Sequence, residues 1–204
     1  MKRFYLMLGM LIMLTGSAFA QLDNITGVTI TFTPTMGTPV VATATDSGNG
    51  LTVDGDIALP ESTDFTVAVT LQSNGADITN LVTAGADEHQ IFFAPTGSFL
   101  NGDVDATDTD SNNLPVGLAN STTSECTENA DVGGTLRVVL ADLGAMKSAM
   151  SMIDDGTALF DLTWNVSIDD DPGAPPCENE EEVITDVTLT FTPVDGGDVV
   201  TARA

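Results

Sequence analysis

Residues 25–45, ITGVTITFTPTMGTPVVATAT, decide the fold. Val28, Ile30 and Phe32 alternate with Thr29, Thr31 and Thr33, and this period of two predicts a strand with one buried face. Pro34 cannot donate to a ladder and Gly37 tolerates unusual φ, so the chain is expected to turn there and return as a second strand over 40–45. The stretch comes back without a gap at residues 184–204, ITDVTLTFTPVDGGDVVTARA, with eleven of 21 aligned residues identical. The offset, 184 − 25 = 159 residues, has the size of a domain rather than of a solenoid repeat. The organisation this implies is one complete β domain, a linker, and the opening hairpin of a truncated second copy.

Working outward, further strands are expected at 52–59, 65–71, 89–94, 135–140 and 159–168, separated by the turn compositions SNGAD, APTGS, TDSNN and DDGT. Strands so punctuated, with no helices between them, predict an all-β fold, an antiparallel sandwich of immunoglobulin-like type. Trp164 alternates with Leu162 and Val166 and reads as core. One segment departs from the pattern. Leu143, Met146, Met150 and Ile153 fall at three- and four-residue spacings, which would place them on one face of a short helix. The other reading is a loop whose methionines cover a sheet edge, and Gly144 favours it.

Residues 1–20 carry Lys2 and Arg3, an apolar run and the ending Ser17-Ala18-Phe19-Ala20, the parts of a secretory signal peptide. The run is too short and wrongly flanked for a membrane anchor. The mature chain is expected to begin near Gln21 and to be exported, as a periplasmic, outer-membrane-associated or extracellular protein with no transmembrane segment. No cysteine follows the apolar run, so lipid attachment there is not supported.

The formal net charge of the chain is −25, and removal of Lys2 and Arg3 takes it to −27. Such a chain repels nucleic acid and anionic membranes, which excludes both as partners and leaves an unknown envelope or extracellular partner. Solubility in a salty medium, divalent-cation binding and mutual repulsion of neighbouring molecules all remain open as uses of the acidity. The sandwich domain is assigned to 21–168. Residues 169–182, DDDPGAPPCENEEE, hold three prolines and seven acids and are expected to form an extended spacer. The hairpin of the second copy takes 183–204. A lone hairpin is marginal in water, so either the recorded chain is truncated or the hairpin adds to an edge of the first domain.

The most suggestive chemistry lies in residues 102–113, GDVDATDTDSNN. Asp103, Asp105, Asp108, Asp110 and Asn112 supply oxygens at close spacing, as a calcium ion requires. An EF-hand counted from Asp108 fails, because its sixth residue is Asn113 and its twelfth Ala119. A calcium loop of the kind found in extracellular β domains and an Asx-rich turn that caps its own backbone both fit the spacing. His89, the only histidine, stands beside Asp87 and Glu88 without a recognisable nucleophile motif, and reads as a hydrogen-bonded residue at a strand start. Cys126 and Cys177 permit one disulfide, which would tie the linker to the loop 120–131; free thiols and a bridge between chains are the alternatives. Asn24, Asn120 and Asn165 occupy N-x-[ST] frames that read as chance matches.

ITGVTITFTP, GTPVVATA, ADEHQIFF at 86–93, DTDSNNLPVGL at 108–118 and GTLRVVL at 134–140 resemble a family of secreted proteins and lipoproteins of Bacteroidota, often described as "type 1 periplasmic binding fold superfamily protein". The resemblance covers most of 25–168 and the fragment from 180 onward. It implies a βαβ architecture, which the strand pattern here does not follow, and it brings no catalytic residues. Members often carry a lipoprotein cysteine and an acidic tether after the leader, whereas here Cys177-Glu178-Asn179-Glu180 stands mid-chain. The family's aspartate-rich turn after the first hairpin is reduced to Asp46-Ser47-Gly48-Asn49-Gly50. Together these features lead to the expectation of an exported, non-enzymatic tandem β-sandwich module with a structural, adhesive or ligand-presenting role. A periplasmic small-ligand or calcium-binding protein is the alternative, and an envelope enzyme ranks behind both.

Overall fold

The computed structural model describes residues 22, 24–126 and 133–169, together with the strands at 188–191 and 200–203. In chain order the elements are β1 (Gly27–Pro34), β2 (Val40–Asp46), β3 (Leu51–Val53), β4 (Ile57–Pro60), β5 (Asp64–Ser73), β6 (Ala76–Asp77), the helix α1 (Thr79–Ala84) and β7 (His89–Gly97). They continue with β8 (Asp105–Ala106), β9 (Ala119–Thr123), β10 (Gly133–Asp142), β11 (Thr157–Asp169), β12 (Thr188–Phe191) and β13 (Val200–Arg203). One sheet runs β3-β2-β1-β5-β9-β8, with β6 paired to the end of β5, and the other runs β4-β11-β10-β7.

The period of two produces these sheets as expected. Along β5, Phe65, Val67, Val69 and Leu71 are buried while Asp64, Thr66, Ala68, Thr70 and Gln72 are exposed. Val28, Ile30 and Phe32 of β1 share a single core with Leu136, Val138 and Leu140 of β10 and with Leu162, Trp164 and Val166 of β11. The two sheets therefore close face to face as an all-β sandwich. Trp164 is fully buried, and its Nε1 donates to the Thr43 carbonyl of the facing sheet at 3.3 Å. Phe32 and Phe65 meet edge to face with centroids 6.1 Å apart.

Several local expectations are corrected. The strand expected over 52–59 is two strands in different sheets, because Gly55 at φ +91° lets the chain leave β3 and cross to β4. β4 then lies parallel to β11, with Val166 opposite Ile57, an exception among otherwise antiparallel pairings. The βαβ alternation implied by the family resemblance does not occur among the described residues. The α-helix whose bounds are described is α1, and its start is held by Asp77 Oδ1 accepting the Thr79 N–H at 2.8 Å.

Residues 143–153 do not form the helix their spacing allowed. A 3₁₀ turn spans Gly144–Met146, entered through Gly144 at φ +53°, and Asp142 Oδ1 accepts the Gly144 N–H at 3.0 Å. Leu143 is buried with Val139 and Ala141 on the outer face of the four-stranded sheet, and Ile153 and Phe92 pack against them. Met146 and Met150 point to solvent, so the four residues do not share one buried face.

β12 and β13 pair with each other as a separate two-stranded sheet. Phe191 lies opposite Val200 and Leu189 opposite Ala202, whereas in the first pair Phe32 lies opposite Val40 and Ile30 opposite Ala42. At the 159-residue offset Ala202 corresponds to Thr43, so the pairing is displaced by one residue. The displacement follows the sequence: the alanines of the return strand sit one position later in TARA than in ATAT.

Candidate functional site

The aspartate-rich segment lies at one end of the sandwich, where the chain runs from β8 to β9 beside the end of α1. Asp108 spends both carboxylate oxygens on backbone, accepting the Gly117 N–H at 2.9 Å and the Leu118 N–H at 3.2 Å. Asp110 Oδ1 accepts the N–H groups of Asn112 at 2.8 Å and Leu114 at 2.9 Å. Its Oδ2 lies 3.0 Å from Lys147 Nζ, and the two side chains are 0% and 1% exposed. Lys147 Nζ also donates to the Ala86 carbonyl at 2.6 Å. Burial alone would push the Asp110 carboxyl up; the N–H of Leu114, the Lys147 ammonium and the N–H of Asn112 outweigh it and hold the group below the usual carboxylate range. Asp87 Oδ1 closes the turn from outside by accepting from the Ser111 hydroxyl at 2.8 Å and the Ser111 N–H at 3.2 Å. A cleft of about 280 Å³ remains, lined by Thr83, Ala86, Asp87, Asp108, Ser111 and Val116 among others.

The five candidate calcium ligands divide between two places. Asp108 and Asp110 line the cleft just described, with Asn112 in the same turn. Asp103 and Asp105 line a second cleft of about 320 Å³, together with Asp64, Phe65, Asn101 and Thr123. Among the described residues no three His, Cys, Asp or Glu side chains gather in an arrangement suited to a metal ion. Lys147 is the decisive residue that sequence reasoning missed. Its signal was compositional: Lys2 and Lys147 are the only lysines in a chain of 30 acids.

His89 begins β7 and is 3% exposed. Its Nδ1 lies 2.8 Å from the Gly85 carbonyl, so this nitrogen carries the proton and caps the end of α1. Cys126 is disulfide-bonded, while Cys177 lies outside the described residues. Asn120 is 2% exposed and donates to the Gly117 carbonyl at 2.9 Å, and Asn165 donates to Asp56 at 2.9 Å.

A second feature is a neutral face. On the outer side of the seven-stranded sheet Thr29 stands between Thr43 and Thr70, Thr31 between Val41 and Ala68, and Thr33 beside Thr66. Ala119, Ser121 and Thr123 of β9 extend these rows past Ala68, Thr66 and Asp64. Asp64 is the one acid at the outward positions of β1, β2, β5 and β9, and its Oδ1 accepts the Thr123 hydroxyl at 2.7 Å. Hydroxyls and methyls at strand spacing therefore cover the central strands of this sheet, with Asp105 opposite Ser121 and Asp77 opposite Gln72 at its margins, in a chain whose net charge is −25.

No family model, no curated protein and no solved structure matches the chain.

Proposed function

We propose that the chain is an exported, non-enzymatic β-sandwich module of the cell envelope, with a structural or adhesive role. The neutral threonine face carries this reading. In so acidic a molecule the central strands of this sheet bring hydroxyl donors and methyl groups to a partner at a low density of charge, with Asp64 the one acid at the outward positions of β1, β2, β5 and β9. The spending of Asp108, Asp110 and His89 on loop and helix ends supports a role that needs rigidity more than reactive groups. The leader-like residues 1–20 support export.

Co-sedimentation of the purified chain with envelope fractions of its host tests the reading. The chain is expected to pellet with the envelope, and Thr29→Glu combined with Thr70→Glu is expected to leave it in the supernatant, because two carboxylates then interrupt the face. Equal recovery of wild type and variant in the supernatant would remove the adhesive role.

A further inference from the structure

Beyond the leader the chain has four methionines, Met36, Met146, Met150 and Met152, and they are 87%, 76%, 79% and 66% exposed. Methionine ordinarily fills gaps in cores, so a chain that places every one of these thioethers in solvent gains no packing from them. Three fall within the seven residues 146–152, in the connection between β10 and β11.

The backbone that presents them is anchored. Leu143 is buried at one end of the connection and Ile153 packs beside it at the other. Arg137 Nη1 donates to Asp154 at 2.9 Å while its other nitrogens grip Asp161. The Ser148 N–H donates to the Ser151 hydroxyl at 3.0 Å, and the Met152 N–H to Asp155 Oδ2 at 2.7 Å. Lys147, directly after Met146, turns inward to Asp110, which takes the local ammonium away from the methionine side. The connection therefore offers three exposed thioethers on an anchored backbone, with Lys147 turned away from them and Asp154 paired with Arg137.

We infer that residues 146–152 form a thioether site for a soft monovalent cation, with Met146, Met150 and Met152 as its ligands. Thioethers select soft ions such as Cu(I), whereas calcium takes hard oxygens, so this site is separate in place and in chemistry from the aspartate-rich turn. The anchored ends limit the ordering that binding must impose on the loop, and the Asp155 carboxylate beside Met152 favours a cation over a neutral ligand.

The test is competition for Cu(I) between the chain, residues 21–204, and the chromogenic chelator bicinchoninate, under nitrogen with ascorbate, which leaves disulfides intact. The expected result is withdrawal of one Cu(I) per chain, weakened at least tenfold by Met146→Leu/Met150→Leu/Met152→Leu and unchanged by Met36→Leu. Failure to withdraw copper, or undiminished withdrawal by the triple variant, overturns the site. Carbon-13 methyl spectra with Ag(I) give an independent readout in the unaltered chain. The methyls of Met146, Met150 and Met152 should shift together while that of Met36 stays; equal shifts at all four, or none, overturn the proposal as well.

Discussion

Lys147 and Asp110 are distant in sequence and 3.0 Å apart in space, and neither has meaning without the other. Removing one member of a buried pair strands the partner's charge without water, and this costs more than the pair itself contributes. Lys147→Met is therefore expected to lower Tm by on the order of 10 °C for a domain of this size. Adding Asp110→Asn to the same chain should recover much of that loss in a thermal melt, because no charge then remains buried. Acid should act through the same group. The folded carboxyls of Asp110, of Asp161 beside Arg137, and of Asp77 beneath the Thr79 N–H all lie below the ordinary value of 3.8. A depressed folded value contributes stability that is complete above the unfolded value and lost as pH falls through the folded one. Urea midpoints should thus stay level from about pH 7 to 5 and fall below about pH 4. At this scale the sequence showed that Asp108 and Asp110 belong to a tight turn, since an Asx turn is local. It could not show Lys147 arriving from another loop.

Elements were legible wherever a strand had one apolar face, as in β1, β5 and β11, because alternation records burial directly. β9 was missed because its buried positions are Asn120 and Thr122, polar side chains that leave no hydrophobic alternation to read. The segment 143–153 stayed open between a short helix and a loop for a related reason. Leu143 and Ile153 do share a surface, but an irregular connection brings them together, and periodicity alone cannot distinguish that from a helical turn. The loop before β9 depends on Gly117, which has φ +83°, and an added Cβ would collide with the Ile91 carbonyl of β7. Gly117→Ala should lower Tm by about 10 °C or more, since strain and collision add. Gly48, with φ +100° and open space around it, isolates the conformational term, and Gly48→Ala should cost only about 1–2 kcal/mol in a denaturant titration.

For the whole molecule, the sandwich follows from two sheets whose apolar faces must be hidden together, and that much was written in the strand pattern. The parallel placement of β4 against β11 was not, because pairing depends on which sheet the chain enters after Gly55. β12 and β13 form a sheet of their own, so removal of residues 183–204 is expected to leave the melting temperature of the remaining chain within about 2 °C of its original value. A fall of many degrees would show instead that they stabilise the sandwich. The one-residue displacement between this pair and β1–β2 keeps an alanine opposite Ile30 and its equivalent Leu189, and a valine opposite Phe32 and its equivalent Phe191, so turn length and alanine position have changed together.

Trp164 is the only tryptophan in the chain. All indole emission therefore comes from one ring, wedged at the seam between the sheets and tied to the Thr43 carbonyl. The molecule thus carries its own optical gauge of sheet separation. A red shift of that emission reports the opening of the seam itself, while fraying loops and strand edges leave the colour unchanged.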